Sequence, residues 1–263
     1  MAEIAFIGTG KIAQAFIQGL AKTQWNLVAY DPSPEALKIA EKLGATSEKN
    51  SLSAIKNAQT VIICTKPDTV TSVLTELCEK LGGKLVISVA AGVTTRKILA
   101  TLKKKIALVR AMPNTPAFIG SAMTGIFATE NVSLNQRQTA QQILSSLGKT
   151  RWLEVEEDLD AVTALSGSGP AYFFLLMEQM IEAGVSEGLS PEVARELVVE
   201  TALGAAKMAS MSIDSPKILK KNVTSPGGTT EAALNIFYKR DFGGTVGEAI
   251  RSAKLKAKEL SKE

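Results

Sequence analysis

Two short stretches concentrate the residue types able to do chemistry. In VTSPGGTTEAAL, residues 223–234, two glycines and two threonines open a helical pattern. Backbone N–H groups and hydroxyls from Ser225 to Thr230 therefore form a ready cradle for a small anion, with a plain helix cap as the simpler reading. Near the N-terminus, IAFIGTGKIAQAF passes from an apolar run through Gly8, Thr9, Gly10, Lys11, Ile12 and Ala13 into helical spacing. In a strand-turn-helix unit Gly8 permits the tight turn, Gly10 lets backbone approach a pyrophosphate, and Ala13 allows close helix packing.

Asp31 ends the next strand pattern at the spacing of a ribose contact, about 20 residues on. An acid there pairs with ribose hydroxyls and repels a 2′-phosphate. Ser33 and Lys11 would still offer donors to a phosphate if Asp31 turned away, and a cap before Pro32 is the structural alternative.

Other chemistries are excluded by what is missing. The chain has no histidine, and Cys64 and Cys78 are too far apart for a CxxC pair, so the sequence predicts no metal site. SGSGP would need glycine at position 166 to be a nucleophile elbow, and GKT at 148–150 lacks the upstream glycine of a phosphate-binding loop. Reduction of a protonated C=N bond is less demanding than alcohol oxidation, because the product amine keeps its proton near neutrality. Orientation and electrostatic fit then suffice, and the missing histidine favours an imine substrate.

The formal charge of +4 comes from interspersed lysines, arginines and acids, which predicts no nucleic-acid partner. The longest apolar run, near PAYFFLLM, is far shorter than the roughly 20 residues of a membrane span, so a cytoplasmic protein without membrane association is expected.

The elements that must position these residues follow from periodicity. EIAFIG, NLVAYD, TVIICTK, KLVISVA and IALVRAM are apolar strand runs alternating with helical spacing, which implies a parallel sheet covered on both faces. SAMTGIFA (121–128) and RWLEV (151–155) add strands around a helix at 134–148. From Leu159 the pattern is helix after helix. The fold class is therefore α/β, with an N-terminal Rossmann-type parallel-sheet domain over 1–157 and an all-helical domain over 158–263. AYFFLLMEQMI is apolar on almost every side, which predicts a buried helix in a domain that another subunit completes.

CTKP (64–67), VRAMPNTPAFIG (109–120), VTALSGSGPAYFF (162–174) and VTSPGGTTEAAL carry a more specific signal. With these motifs the chain resembles the pyrroline-5-carboxylate reductase family across nearly its full length. The resemblance implies reduction of 1-pyrroline-5-carboxylate to L-proline with NADP(H) or NAD(H). It also implies a helical domain that interlocks with a second subunit, as a homodimer or a larger homo-oligomer such as a decamer.

By the same resemblance, Gly8 to Ala13 would hold the pyrophosphate, and Asp31, Ser33 and Asn50 would meet the adenine ribose or its phosphate, with Ser51 an alternative to Asn50. Thr65, Lys66 and Pro67 would flank the cofactor, and Met112, Pro113 and Asn114 would lie near the nicotinamide. Substrate would meet Ser168, Gly169, Ser225, Gly227, Gly228, Thr229 and Thr230. Thr230 would hydrogen-bond the ring nitrogen, and Lys66 would be an electrostatic neighbour or only a strand-end cap. Where the family often carries an Asn-Arg-Ser type turn, this chain has Asp31-Pro32-Ser33 and so lacks the arginine that embraces a 2′-phosphate.

Overall fold

The structure is a computed structural model describing residues 2–261. Its first compact unit runs through Pro170 and is rejoined by the chain from Ser252 onward, while Ala171–Arg251 form a second unit.

In the first unit the chain alternates strand and helix: β1 (Glu3–Ile7), α1 (Lys11–Leu20), β2 (Asn26–Tyr30), α2 (Pro34–Leu43), β3 (Thr46–Ser47), α3 (Ser51–Ile55), β4 (Thr60–Ile63) and α4 (Val70–Leu77). There follow β5 (Leu85–Ser88), α5 (Thr95–Leu102), β6 (Ala107–Met112), β7 (Ala122–Ala128), α6 (Leu134–Ser145), β8 (Gly148–Trp152) and α7 (Asp158–Val162). One eight-stranded sheet results, in the order β3-β2-β1-β4-β5-β6-β7-β8.

Alternate residues of the central strands feed two separate cores, which explains why the strands read as unbroken apolar runs. Ile4, Phe6, Ile62 and Ile87 pack on one face with Phe16 and Ile17 of α1, and Ala5, Ile7, Val61 and Val86 pack on the other with Leu74 and Leu77 of α4.

The sheet is parallel as expected except at β7, which runs antiparallel to β6 and parallel to β8. The connection from β6 to β7 is only Pro113–Ser121, too short for the crossover a parallel pair requires. β8 begins at Gly148, three residues before the expected strand, so the GKT stretch belongs to the sheet. β3 is an additional two-residue edge strand.

The first unit also extends past the expected boundary at residue 157. Gly125 of β7 leaves room for Val162 and Leu159 of α7, whose side chains would lie 2.9 and 3.3 Å from a Cβ at that position. Glu156, just before α7, accepts hydrogen bonds from Thr95 N at 2.7 Å, from Thr95 Oγ1, and from Arg110 Nη1 at 2.8 Å. Both Arg110 and Glu156 are largely buried, so a lone survivor of this ion pair would cost about 3 kcal/mol.

The second unit is helical: α8 (Gly169–Ser186) leads into it, followed by α9 (Pro191–Met211), α10 (Pro216–Asn222), α11 (Thr229–Lys239) and the first half of α12 (Phe242–Leu260). Gly184 of α8 lets Ala194 of α9 approach, its Cβ 3.3 Å from where a glycine Cβ would stand. Ser190 caps α9 by accepting from Val193 N at 3.3 Å, with Pro191 in the first turn. The apolar helix predicted to be buried is instead open within one chain: Phe173 is 66% and Phe174 63% exposed. Among the described residues no helix is long and apolar enough to cross a membrane.

Candidate functional site

The sheet order reverses direction between β1 and β4, the switch point where open α/β sheets bind ligands at the carboxyl ends of their strands. Gly8 follows β1 with φ +91°, and a Cβ there would stand 2.9 Å from the Cys64 carbonyl. Only glycine fits this turn. Gly10 is the N-cap of α1, has open space beside it, and supplies no side-chain cap. Among the described residues the N–H groups of Lys11, Ile12 and Ala13 consequently have no protein partner, which leaves the positive end of α1 open to an anion.

Three buried hydroxyl oxygens without a partner among the described residues stand at or just beyond the carboxyl ends of β1, β4 and β5: Thr9 Oγ1, Thr65 Oγ1 and Ser88 Oγ. Orphaned buried groups of this kind fit a polar ligand such as a dinucleotide. Cys64 adds no nucleophile, because burial pushes its thiol well above the ordinary range and keeps it neutral.

Asp31 does two structural jobs just beyond β2. Its Oδ2 accepts from Thr9 N at 2.7 Å and its Oδ1 from Ser33 N at 2.8 Å, tying the glycine turn to the end of β2. Ser33 caps α2, accepting from Ala36 N at 3.3 Å while its hydroxyl donates to Glu35 Oε2 at 3.0 Å. Asn50 is exposed and caps α3 through Ser53 N at 2.8 Å, whereas Ser51 is buried with its hydroxyl donating to Glu76. Between Asn50 and Ser51, only Asn50 therefore faces solvent. Lys66 and Pro67 are exposed at the start of a short 3-10 turn, and the Lys66 carbonyl caps it by accepting from Thr69 N at 3.0 Å.

A cleft of about 280 Å³ gathers Lys11, Ile12, Met112, Pro113 and Asn114 with Val89, Ala91, Thr115, Phe118 and Gly167. The apolar members gave no chemical signal in the sequence; Val89 and Ala91 are simply where an apolar strand run ends. Asn114 organises the wall: its Oδ1 accepts from Met123 N at 3.0 Å, and its Nδ2 donates to the Ser166 carbonyl at 3.1 Å. Ser166 lies in a π-type turn, Thr163–Gly167, closed by Ser168 N donating to Thr163 O at 2.8 Å. Gly167 brings this turn against the wall, since a Cβ there would be 2.8 Å from Met112 Cε. Ser168 and Gly169 follow directly and enter α8. Single-turn π geometry is frequent at functional sites.

In the second unit α11 begins on Gly228, again without a side-chain cap. Gly227 has φ +74° and its N–H donates to Glu231 Oε2 at 2.8 Å, while Gly228 N donates to Ser225 O at 3.0 Å. The SPGGTT cradle is thus narrower than its sequence suggests. Among the described residues the N–H groups of Ser225, Thr229 and Thr230 are unclaimed, and the last two stand with their hydroxyls at the positive end of the helix. Glu231, the acid that takes Gly227, was legible only as an ordinary first-turn acid.

A switch-point glycine turn on a doubly covered sheet, followed by a helical unit, defines a dinucleotide-binding α/β protein. Residues 3–92 match the family described as NADP oxidoreductase, coenzyme F420-dependent, and residues 156–260 match pyrroline-5-carboxylate reductase dimerisation. A pyrroline-5-carboxylate reductase of Haemophilus influenzae is 42% identical, covering 98% of this chain and 97% of its own. The solved structure of one from Coxiella burnetii superposes with a TM-score of 0.94 at 38% identity, over 100% of this chain and 99% of that one. That of the Plasmodium falciparum pyrroline carboxylate reductase with NADP bound gives 0.89 at 30% identity, over 99% and 98%. The chain belongs to the pyrroline-5-carboxylate reductase family.

Proposed function

We propose that this chain reduces 1-pyrroline-5-carboxylate to L-proline, with Gly8 to Ala13 holding the pyrophosphate of NADH or NADPH and the start of α11 holding the substrate carboxylate. The observation that carries the substrate half is the glycine-capped N-terminus of α11, whose Thr229 and Thr230 N–H groups are unclaimed. A carboxylate there meets two backbone donors, two hydroxyls and the helix dipole together.

The coenzyme supplies hydride. The chain supplies orientation, and it holds no histidine to act as acid or base. None is required when the imine arrives protonated: the incoming electron pair converts the C=N bond to C–N, and the nitrogen keeps its proton. The Thr230 hydroxyl fixes the ring nitrogen by accepting its N–H, and the backbone donors beside it fix the carboxylate. Met112, Pro113 and Asn114 shape the nicotinamide wall, with Asn114 as its internal brace. Lys66 adds positive potential near the anionic groups.

The protein acts as a homodimer through its helical unit, with larger rings of such dimers, and works in the cytoplasm. The open apolar side of α8 and the match to a dimerisation family support the dimer.

Replacing Thr230 tests the assignment. Thr230→Ala is expected to lower kcat/KM for pyrroline-5-carboxylate by about 10- to 100-fold at unchanged coenzyme affinity, and Thr230→Ser to recover most of it. An unchanged rate in Thr230→Ala would remove the residue from the mechanism.

A further inference from the structure

We infer that this chain selects NADH over NADPH and that Glu35 determines the selection. The inference rests on the reading that the first unit binds a dinucleotide with its adenine ribose beside Asp31.

A 2′-phosphate on that ribose would lie against the turn between β2 and α2, whose donors are mostly committed or absent. Pro32 and Pro34 have none. Ser33 N donates to Asp31 Oδ1 at 2.8 Å, Ala36 N to Ser33 Oγ at 3.3 Å, and Leu37 N to Ser33 O at 3.1 Å. The Glu35 N–H, in the first turn of α2, stands beside its own residue's carboxylate, which it helps hold below the usual range. The one hydroxyl in the turn, Ser33 Oγ, donates to Glu35 Oε2 at 3.0 Å.

Charge reinforces this accounting. The turn presents two carboxylates, Asp31 and Glu35, and among the described residues neither has an ion-pair partner. The N-terminus of α2 would otherwise attract a phosphate. Here Glu35 already occupies that role, and the N–H and the hydroxyl it accepts from hold its carboxyl below the usual range, so it is anionic at neutral pH. A ribose 2′-hydroxyl can donate to Asp31, which retains acceptor capacity. A 2′-phosphate brings only acceptors and negative charge to a turn of acceptors and negative charge.

Asp31 and Glu35 differ in kind. Asp31 also holds the glycine turn, so changing it disturbs both coenzymes, whereas Glu35 is exposed and touches only the turn where the phosphate would lie.

The test is calorimetric titration of the full-length protein with NADH and with NADPH, without substrate, for wild type, Glu35→Gln and Glu35→Lys. The expected wild-type preference for NADH is about tenfold or more. Glu35→Gln should reduce that ratio several-fold and Glu35→Lys by about an order of magnitude, with melting temperatures close to wild type. Wild type binding NADPH as tightly as NADH, or a ratio unmoved in both variants, would overturn the inference while leaving dinucleotide binding intact. Binding of neither coenzyme would overturn the underlying reading together with it.

Discussion

The N–H of Thr9, in the glycine turn after β1, donates across 2.7 Å to the carboxylate of Asp31 beyond β2. This bond locks the turn to the neighbouring strand, and the same carboxylate fixes Ser33 at 2.8 Å on its other oxygen. The acid is thus a structural clamp. Asp31→Ala should therefore cost about 2 kcal/mol of stability, the scale of hydrogen bonds to a charged group, and weaken NADH and NADPH together. Denaturant melts and coenzyme titrations measure both effects. A gain in NADPH affinity at undiminished stability would show that the clamp is unimportant.

The two glycines of the opening turn should respond differently to the same substitution. At Gly8 a methyl group meets the Cys64 carbonyl at 2.9 Å and the backbone sits at φ +91°, so Gly8→Ala should lose about 2 kcal/mol or more together with coenzyme binding. At Gly10 an added Cβ would meet no atom within 4 Å beyond its own stretch of chain, so Gly10→Ala should leave stability within about 0.5 kcal/mol of wild type. It should still weaken coenzyme binding by tenfold or more, because on the proposed function the space it fills receives the pyrophosphate. Equal melting curves for the two variants would contradict this division.

The apolar side of α8 predicts assembly. Phe173, Phe174 and Leu175 are each more than half exposed in a single chain, a cost that burial against a second copy removes. The double variant Phe173→Glu, Phe174→Glu should run as a monomer in light scattering, where wild type is a dimer or larger. The circular dichroism of the α/β unit should persist. A variant that remains oligomeric would place the interface elsewhere.

Much of this was legible in the sequence. The strand runs revealed a doubly covered sheet because both faces of β1, β4 and β5 are buried, and Gly8, Gly10 and Asp31 revealed the switch-point turn because each has a distinct steric or charge requirement. β7 was harder: its residues alternate like any strand, and its antiparallel direction follows from connection length. Burial of α8 was misjudged for one chain because apolarity on all sides does not say whether the covering atoms are intramolecular.

The polar assignments were least legible. Asn114, Ser33 and Glu231 each spend side-chain atoms on local backbone groups, and whether a polar residue serves a ligand or its own loop is decided by distances of about 3 Å that no spacing rule contains.

The central claim is C=N reduction, and product formation tests it most directly. Purified protein incubated with NADH or NADPH and 1-pyrroline-5-carboxylate should oxidise coenzyme and yield L-proline in equal amounts, with no oxidation when the imine is omitted. Bound coenzyme without oxidation, or oxidation without L-proline, would contradict the account.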